Sequence, residues 1–291
     1  PKFFFGVLGT HRSDEAIFLT AFAGLALPGL PAWGLPPRTL SFPRDHGAHP
    51  ELRTEWWYVT GHAAAGGREF GFQVTFFRSR VDGTQAMASK LAARQLVFAH
   101  AAVTDLQGRK LWHDQRIARE GFGIARASEV DTDLRLRDWT MTRQRDGRYA
   151  ARVEGGDFAL ELLATPTQPL LLQGQEGLSR KGPQPAQASY YYSQPQLRVE
   201  GRLRLSAAAA GHGGVRPGGE AGRGQATPFT ATVQGRAWLD HEWSEALLHP
   251  EAVGWDWVGM NLHDGGALTV FRLRRADGSA LWAGGSWRAA G

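Results

Sequence analysis

The sequence predicts an all-β fold: a meander of antiparallel strands that closes as a barrel or folds as a sandwich, followed by a second, shorter strand series. Three observations carry this. From Thr54 onward apolar and polar residues alternate with a period of two, short polar turns such as 105–108 and 145–147 divide the runs, and amphipathic helical patterns are scarce. A period of two sends successive side chains to opposite faces of a sheet, so one face can be buried while the other stays wet.

Taken in order, residues 1–39 read as a signal-like or disordered segment. Lys2, His11 and Arg12 precede an apolar stretch at 16–28 and then a Gly/Pro/Ala-rich run. That stretch is too short to span a bilayer and fits the apolar core of a signal peptide, although Asp14 and Glu15 depart from the pattern. Secretion or export to a periplasm is the expectation, and a poorly ordered tail is the alternative.

Residues 40–173 form the first series, with strands at 56–61, 69–77, 95–105, 110–120, 134–143, 149–154 and 158–164. In the second of these, Phe70, Phe72, Val74 and Phe76 share one face while Gly71, Gln73 and Thr75 share the other. Residues 82–94 are the best helical candidate. Residues 174–195 read as a linker that docks on a domain surface. The second series, within 196–291, has strands at 196–206, 229–243, 253–262, 267–275 and 280–287. It is interrupted at 207–227 by an Ala/Gly-rich tract that reads as a mobile hairpin loop, because it cannot bury enough apolar area to offset its ordering. About five strands are fewer than the roughly eight of a small closed barrel, so the second unit is expected to be incomplete.

Composition narrows the function. Net charge is +5, but the 33 basic and 28 acidic residues are interspersed. Arginines fall singly on alternate strand positions, as a solvated sheet face requires, and no nucleic-acid partner is expected. Cysteine is absent, which excludes disulfides, thiolate metal sites and a thiol nucleophile. No HExxH, GxSxG or phosphate-binding glycine loop occurs, so neither a metal nor another cofactor is expected. The chain reads as a monomer.

The informative region is WLDHEW with GWDWVG, which gathers four of the 11 tryptophans beside two aspartates, a histidine and a glutamate. Charged groups are costly to bury and indoles are seldom left bare, so the mixture points to an apolar cavity with a few polar groups aimed into it. Alternation places Trp238, Asp240 and Glu242 on one face and Leu239, His241 and Trp243 on the other, with Asp256 opposite Trp255 and Trp257. Strand ties, salt bridges to arginines and plain aromatic packing are the alternatives. Three further sites are weighed the same way. Trp56 and Tyr58 share a face opposite Glu55 and Trp57, forming a ligand-lining wall or a packed strand with Glu55 paired to an arginine. His100 is a pocket group or a satisfied core histidine. Among Tyr190, Tyr191 and Tyr192, at least one packs beneath the linker and one phenol can reach the cavity.

The runs EWWYVTGH, EFGFQVTFFR, FAHAAVTD, LLLQGQEGLSRKG, ASYYYSQP, AWLDHEWS and GWDWVGMNL, in this order, resemble the lipocalin-like family of carotenoid 1,2-hydratase (CrtC) and AttH-like proteins, in its predicted secreted hydrolase branch. The resemblance spans about 40–285. It implies two consecutive lipocalin-like β-barrels with a ligand site near their interface, and members that continue beyond residue 291 with further strands. It also implies that His241 and Trp243 correspond to a histidine–tryptophan pair acting in catalysis, with Asp256, or Asp240 in reserve, as the aspartate. The expected chemistry is addition of water to a C=C bond of an isoprenoid. Asp256 is the acid, His241 the base that orients water, and Trp243, Trp255 and Trp257 face the cation. The rival is a non-catalytic carrier of a lipid or other apolar molecule that works with an ABC-type membrane transporter; a hydrolase is the lesser alternative.

Overall fold

The computed structural model describes residues 34–210, 227–245 and 249–290. The signal-like stretch at 16–28 lies outside the described residues, as does most of the Ala/Gly-rich tract, whose beginning forms a short helix at Ala207–Ala210.

Among the described residues sixteen strands follow one another: β1 (Thr54–Ala65), β2 (Arg68–Arg80), β3 (Gln95–Asp105), β4 (Lys110–Arg119), β5 (Ala125–Ala127), β6 (Asp133–Leu136), β7 (Trp139–Arg143), β8 (Tyr149–Glu154), β9 (Phe158–Thr165), β10 (Leu171–Leu172), β11 (Leu178–Arg180), β12 (Ala188–Leu205), β13 (Phe229–Ser244), β14 (Gly254–Asn261), β15 (Ala267–Arg274) and β16 (Ala280–Arg288). Thirteen of them build one antiparallel sheet in the order β4-β3-β2-β1-β13-β12-β9-β8-β7-β6-β5, with β10 and β11 also on β12. The two ends of this sheet curl toward each other, β3 and β4 approaching β5 and β6, which nearly closes a barrel. Its interior is filled by alternate residues of every strand, among them Phe70, Val74, Phe76, Leu134, Trp139, Met141, Leu160 and Leu203. Strands β14, β15 and β16 form a separate three-stranded sheet, and Trp257, Ala267 and Phe271 pack on Tyr58 and Trp238 of the barrel's outer face in a second, smaller core.

Strand alternation and the all-β class appear as the sequence indicates, but the division into units differs. The linker expected at 174–195 ends inside a continuous 18-residue strand, β12. The strands at 196–206 and 229–243, assigned to a second unit, complete the barrel: β13 pairs with β1 from Thr54↔Ser244 to Ala64↔Gln234, and the far half of β12 pairs with β9. Periodicity reports which face a residue takes and carries no record of which distant edge it will meet.

The helix expected at 82–94 is also replaced. Only Asp82–Thr84 is helical, in a single 3-10 turn. Thr84 Oγ1 donates to the Ala93 carbonyl and Gln85 Nε2 donates to the carbonyls of Val81 and Arg94, closing the segment as a loop. Met87 and Leu91 are exposed, so no apolar stripe is buried to favour a helix.

Candidate functional site

Strand β13 is buried on both faces from Ala237 to Ser244, and each face carries its own polar array. Side chains of His241 and Trp243 enter the barrel, while those of Trp238, Asp240 and Glu242 meet the second sheet, so alternation assigns the faces correctly. The single chamber expected around both sets is two separate places.

Inside the barrel, Glu55 and Trp57 of β1 face His241 and Trp243. Residues 44–49, which precede β1, run into the end of the barrel and bury His46 and His49 there. Glu55 Oε1 accepts hydrogen bonds from His49 Nδ1 at 2.7 Å and His241 Nε2 at 2.8 Å. Its Oε2 accepts from Arg78 Nε at 2.9 Å and the His49 backbone N–H at 2.8 Å. His49 Nε2 lies 3.0 Å from Asp45 Oδ1, and Arg38 holds the same carboxylate. On the other side, the Tyr192 hydroxyl lies 3.1 Å from His241 Nδ1 and 2.7 Å from His46 Nδ1. One set of protons satisfies the chain: His49 is doubly protonated between two carboxylates, His241 donates to Glu55 and accepts from Tyr192, and His46 donates to Tyr192.

The electrostatics agree with that assignment. Burial alone would keep Glu55 protonated, but the hydrogen bonds from His241 and His49 and the charge of Arg78 hold it well below the usual carboxylate range. Burial opposes charge on His49 as well, and the bonds to Asp45 and Glu55 outweigh it and raise its pKa. Burial dominates at His241, which falls to about 4 despite Glu55, and at His46, which falls to about 3 with help from the charge of Arg143.

Aromatic rings fill the remaining space. Trp243 stacks on His49 with centroids 4.1 Å apart and planes 1° off parallel, and Trp57 stacks on His241 at 4.5 Å. Both nitrogens of His241 are engaged and the residue is fully buried, which leaves no room for it to orient a water for attack.

His49, Glu55 and His241 bring a two-histidine, one-carboxylate donor set within 4.8 Å, the residue types that zinc uses. Metal–nitrogen bonds of about 2.0–2.1 Å in a tetrahedral site would separate the ligand atoms by about 3.3 Å. The separations of 2.7 and 2.8 Å are hydrogen-bond lengths, and Arg78 already neutralises Glu55. The array is bridged by protons.

On the outer face, Asp240 Oδ1 accepts from Ser193 Oγ at 2.5 Å and from Trp238 Nε1 at 2.6 Å. Tyr191 is hydrogen-bonded to the same carboxyl, and its hydroxyl accepts from Trp257 Nε1 at 3.2 Å. Gln173 ties Ser193 to Thr269 of β15. Trp257 meets Tyr58 and Trp238 edge to face. Burial dominates here and lifts the Asp240 pKa to about 7, against the pull of the bonds from Ser193, Trp238 and Tyr191. Beyond Trp238 the junction of barrel and second sheet opens into a cleft of about 440 Å³, lined mainly by polar residues including Thr60, His62, Gln196, Arg236, Asn261 and His263.

The other expected residues fall as follows. Tyr58, Tyr191, Trp238 and Trp257 gather around Asp240, with Trp56 packed against that small core. Trp57 and Trp243 belong to the barrel array. His100 lies on β3, in contact with Gln115, and is part of neither array. Asp256 requires correction as the acid: its half-exposed carboxylate is held by Arg272 at 2.6 Å and Arg274 at 3.0 Å, across the ladder of the second sheet. Trp255 is partly exposed on the same strand. Asp45, His46, His49 and Arg78 were not singled out from the sequence. Their only local signal is the pair of histidines in RDHGAHP, which has no strand periodicity.

A nearly closed antiparallel β-barrel with a second sheet packed on its wall is a lipocalin-like fold. The AttH-like family model matches residues 34–291, and the chain belongs to that family. An AttH structure from Nitrosomonas europaea is similar at 44% identity and TM-score 0.74, covering 88% of this chain and 71% of that one. The fold is also similar to kievitone hydratase from Nectria haematococca, at 9% identity and TM-score 0.60, over 87% of this chain and 66% of that one. No curated protein matches the chain.

Proposed function

We propose that the junction between barrel and second sheet is the active site of a cofactor-independent hydro-lyase that adds water to an unsaturated small molecule, with Asp240 as proton donor. The observation that carries this is a buried carboxyl, held protonated to near neutral pH, in contact with the indole that forms the cleft wall. Asp240 gives its proton to one alkene carbon and becomes a carboxylate. The neighbouring carbon carries the positive charge, facing the π-cloud of Trp238, which stabilises a cation by about 0.5–2 kcal/mol. Water adds to that carbon, and its released proton restores Asp240. Entry of the alkene requires Trp238 to turn aside, since it stands between cleft and carboxyl. Kievitone hydratase is a hydratase by name, but that likeness is one of fold, and the proposal stands on Asp240 and the cleft.

One observation favours a second reading, a carrier without chemistry: Asp240 is buried behind the cleft lining instead of forming part of it. Incubation with unsaturated acids and isoprenoids in ¹⁸O-water, followed by mass spectrometry, separates the two. The hydro-lyase yields product labelled with one heavy water, and Asp240→Asn slows it about 10²–10⁴-fold with binding retained. Bound ligand without product identifies the carrier, and full turnover by Asp240→Asn removes Asp240 as the acid.

A further inference from the structure

The cleft beside Trp238 has a charge pattern that the hydration reading does not use: His62 and Arg236 line it together with Asp264, whose carboxylate accepts from the Gly266 N–H, while Arg198 is exposed and outside the lining. Across three adjacent strands, His62 of β1, Arg236 of β13 and Arg198 of β12 stand in one row, each directly opposite the next in the ladder. Paired residues in a ladder project to the same face, and like charges set directly opposite one another are destabilising. Some arginines on the barrel's outside are answered by carboxylates, as Arg204 is by Glu154 and Arg152 by Glu161, and others, such as Arg135 and Arg202, are not. Among the described residues, neither Arg198 nor Arg236 forms an ion pair with a carboxylate.

Arg236 is nonetheless held. Its guanidinium donates to Gln196 Oε1 at 3.2 Å. Gln196 is buried, sits at a positive φ of 55° beside the register shift in β12, and spends its other groups on the opposite wall of the cleft. Its backbone N–H donates to Asn261 Oδ1 at 2.7 Å, and its Nε2 to the carbonyls of Leu262 at 2.9 Å and Gly266 at 3.1 Å. A non-glycine residue in that backbone region is strained, and such strain collects at binding sites. Gln168 and Asn261 are likewise spent, on the Gly265 and Ala237 carbonyls. The amides hold the walls together, whereas a guanidinium has five N–H donors and this one gives a single bond to Gln196.

We infer that the cleft binds an oxyanion, the carboxylate or phosphate of an unsaturated or aromatic molecule, through Arg236 with Arg198 and His62 beside it. The flat portion of the ligand lies against Trp238. This rests on the junction being the ligand site and adds the substrate class: an acid in place of a plain hydrocarbon.

The test is calorimetric titration of the full chain with cinnamate, phenyl phosphate and cinnamyl alcohol, which requires no turnover. Either anion is expected to bind at least about tenfold more tightly than the alcohol, and the tighter of the two names the oxyanion. Arg236→Gln weakens the anion by about 10- to 100-fold, the usual worth of a charged hydrogen bond, and leaves the alcohol unchanged. Arg236→Lys restores part of the loss. Arg198→Gln, at an exposed position that can be changed without disturbing the core, weakens the anion by a smaller factor. Equal affinity for alcohol and acids, absence of anion binding at millimolar concentration, or indifference to both arginine substitutions overturns the inference. Asp256→Asn, whose ion pairs lie across the ladder of the second sheet, is a control that keeps anion binding. If anion binding follows the arginines while hydration is absent even in the wild type, the catalytic reading fails and the oxyanion site stands.

Discussion

Replacing Asp240 by asparagine tests the buried acid without any substrate. In the unfolded chain this carboxyl titrates near 3.8, and in the fold near 7. Below the lower value both states hold the proton, so burial carries no ionisation cost. Between the two values only the folded state holds it, and each pH unit upward removes 1.36 kcal/mol of stability. Above the upper value both states are ionised and the loss is complete. Over the roughly three pH units between them, it amounts to about 4 kcal/mol. Asparagine has nearly the same shape, can still accept from Ser193 and Trp238, and has no proton to lose. Urea unfolding of both proteins at several pH values from about 4 to 8 gives the difference directly, since every other titrating group cancels. The variant is expected to gain on the wild type by about 1.4 kcal/mol per pH unit up to about pH 7, then to level off. A stability difference that does not change with pH across this range would refute the claim that Asp240 is held protonated.

Glu55→Gln leaves the His49 imidazolium and the Arg78 guanidinium buried without their shared carboxylate. A loss of about 3–5 kcal/mol at neutral pH, read from the urea midpoint, is expected. Because Glu55 is depressed in the fold, its contribution is present above the ordinary glutamate pKa and is lost as pH falls. His46 and His241, both held neutral by burial, act in the same direction: below about pH 6.5 each removes about 1.4 kcal/mol per pH unit until it titrates in the fold. Histidine ring resonances that remain neutral at pH 5 by NMR would confirm this, and protonation near 6.5 would contradict it. Asp256→Asn breaks an exposed ion pair with Arg272 and a partly buried one with Arg274, so stability should move by about 1 kcal/mol at most and ligand binding should not change. A large loss of either would return Asp256 to the site.

The sequence alone determined the strand class and, residue by residue, the two faces of WLDHEW, because a pleated backbone leaves a side chain only two directions. It also exposed the aromatic and acidic character of the region, and it raised the pairing of Glu55 with an arginine as one alternative. Tertiary structure decided everything that depends on what covers a face. Asp240 and Asp256 look alike in the sequence, each an aspartate within three residues of two tryptophans. The second sheet covers Asp240 with Trp257, Tyr191 and Thr269 nearby, so burial keeps it protonated. Asp256 points to the far side of that sheet, where Arg272 and Arg274 hold it half-exposed to water. Pairing of β13 with β1 brings His241 to Glu55, residues 186 positions apart, and residues 44–49 reach the same carboxylate from the barrel's end. Such meetings are set by the closure of the sheet, a balance of burial over the whole chain, and local alternation carries no trace of them.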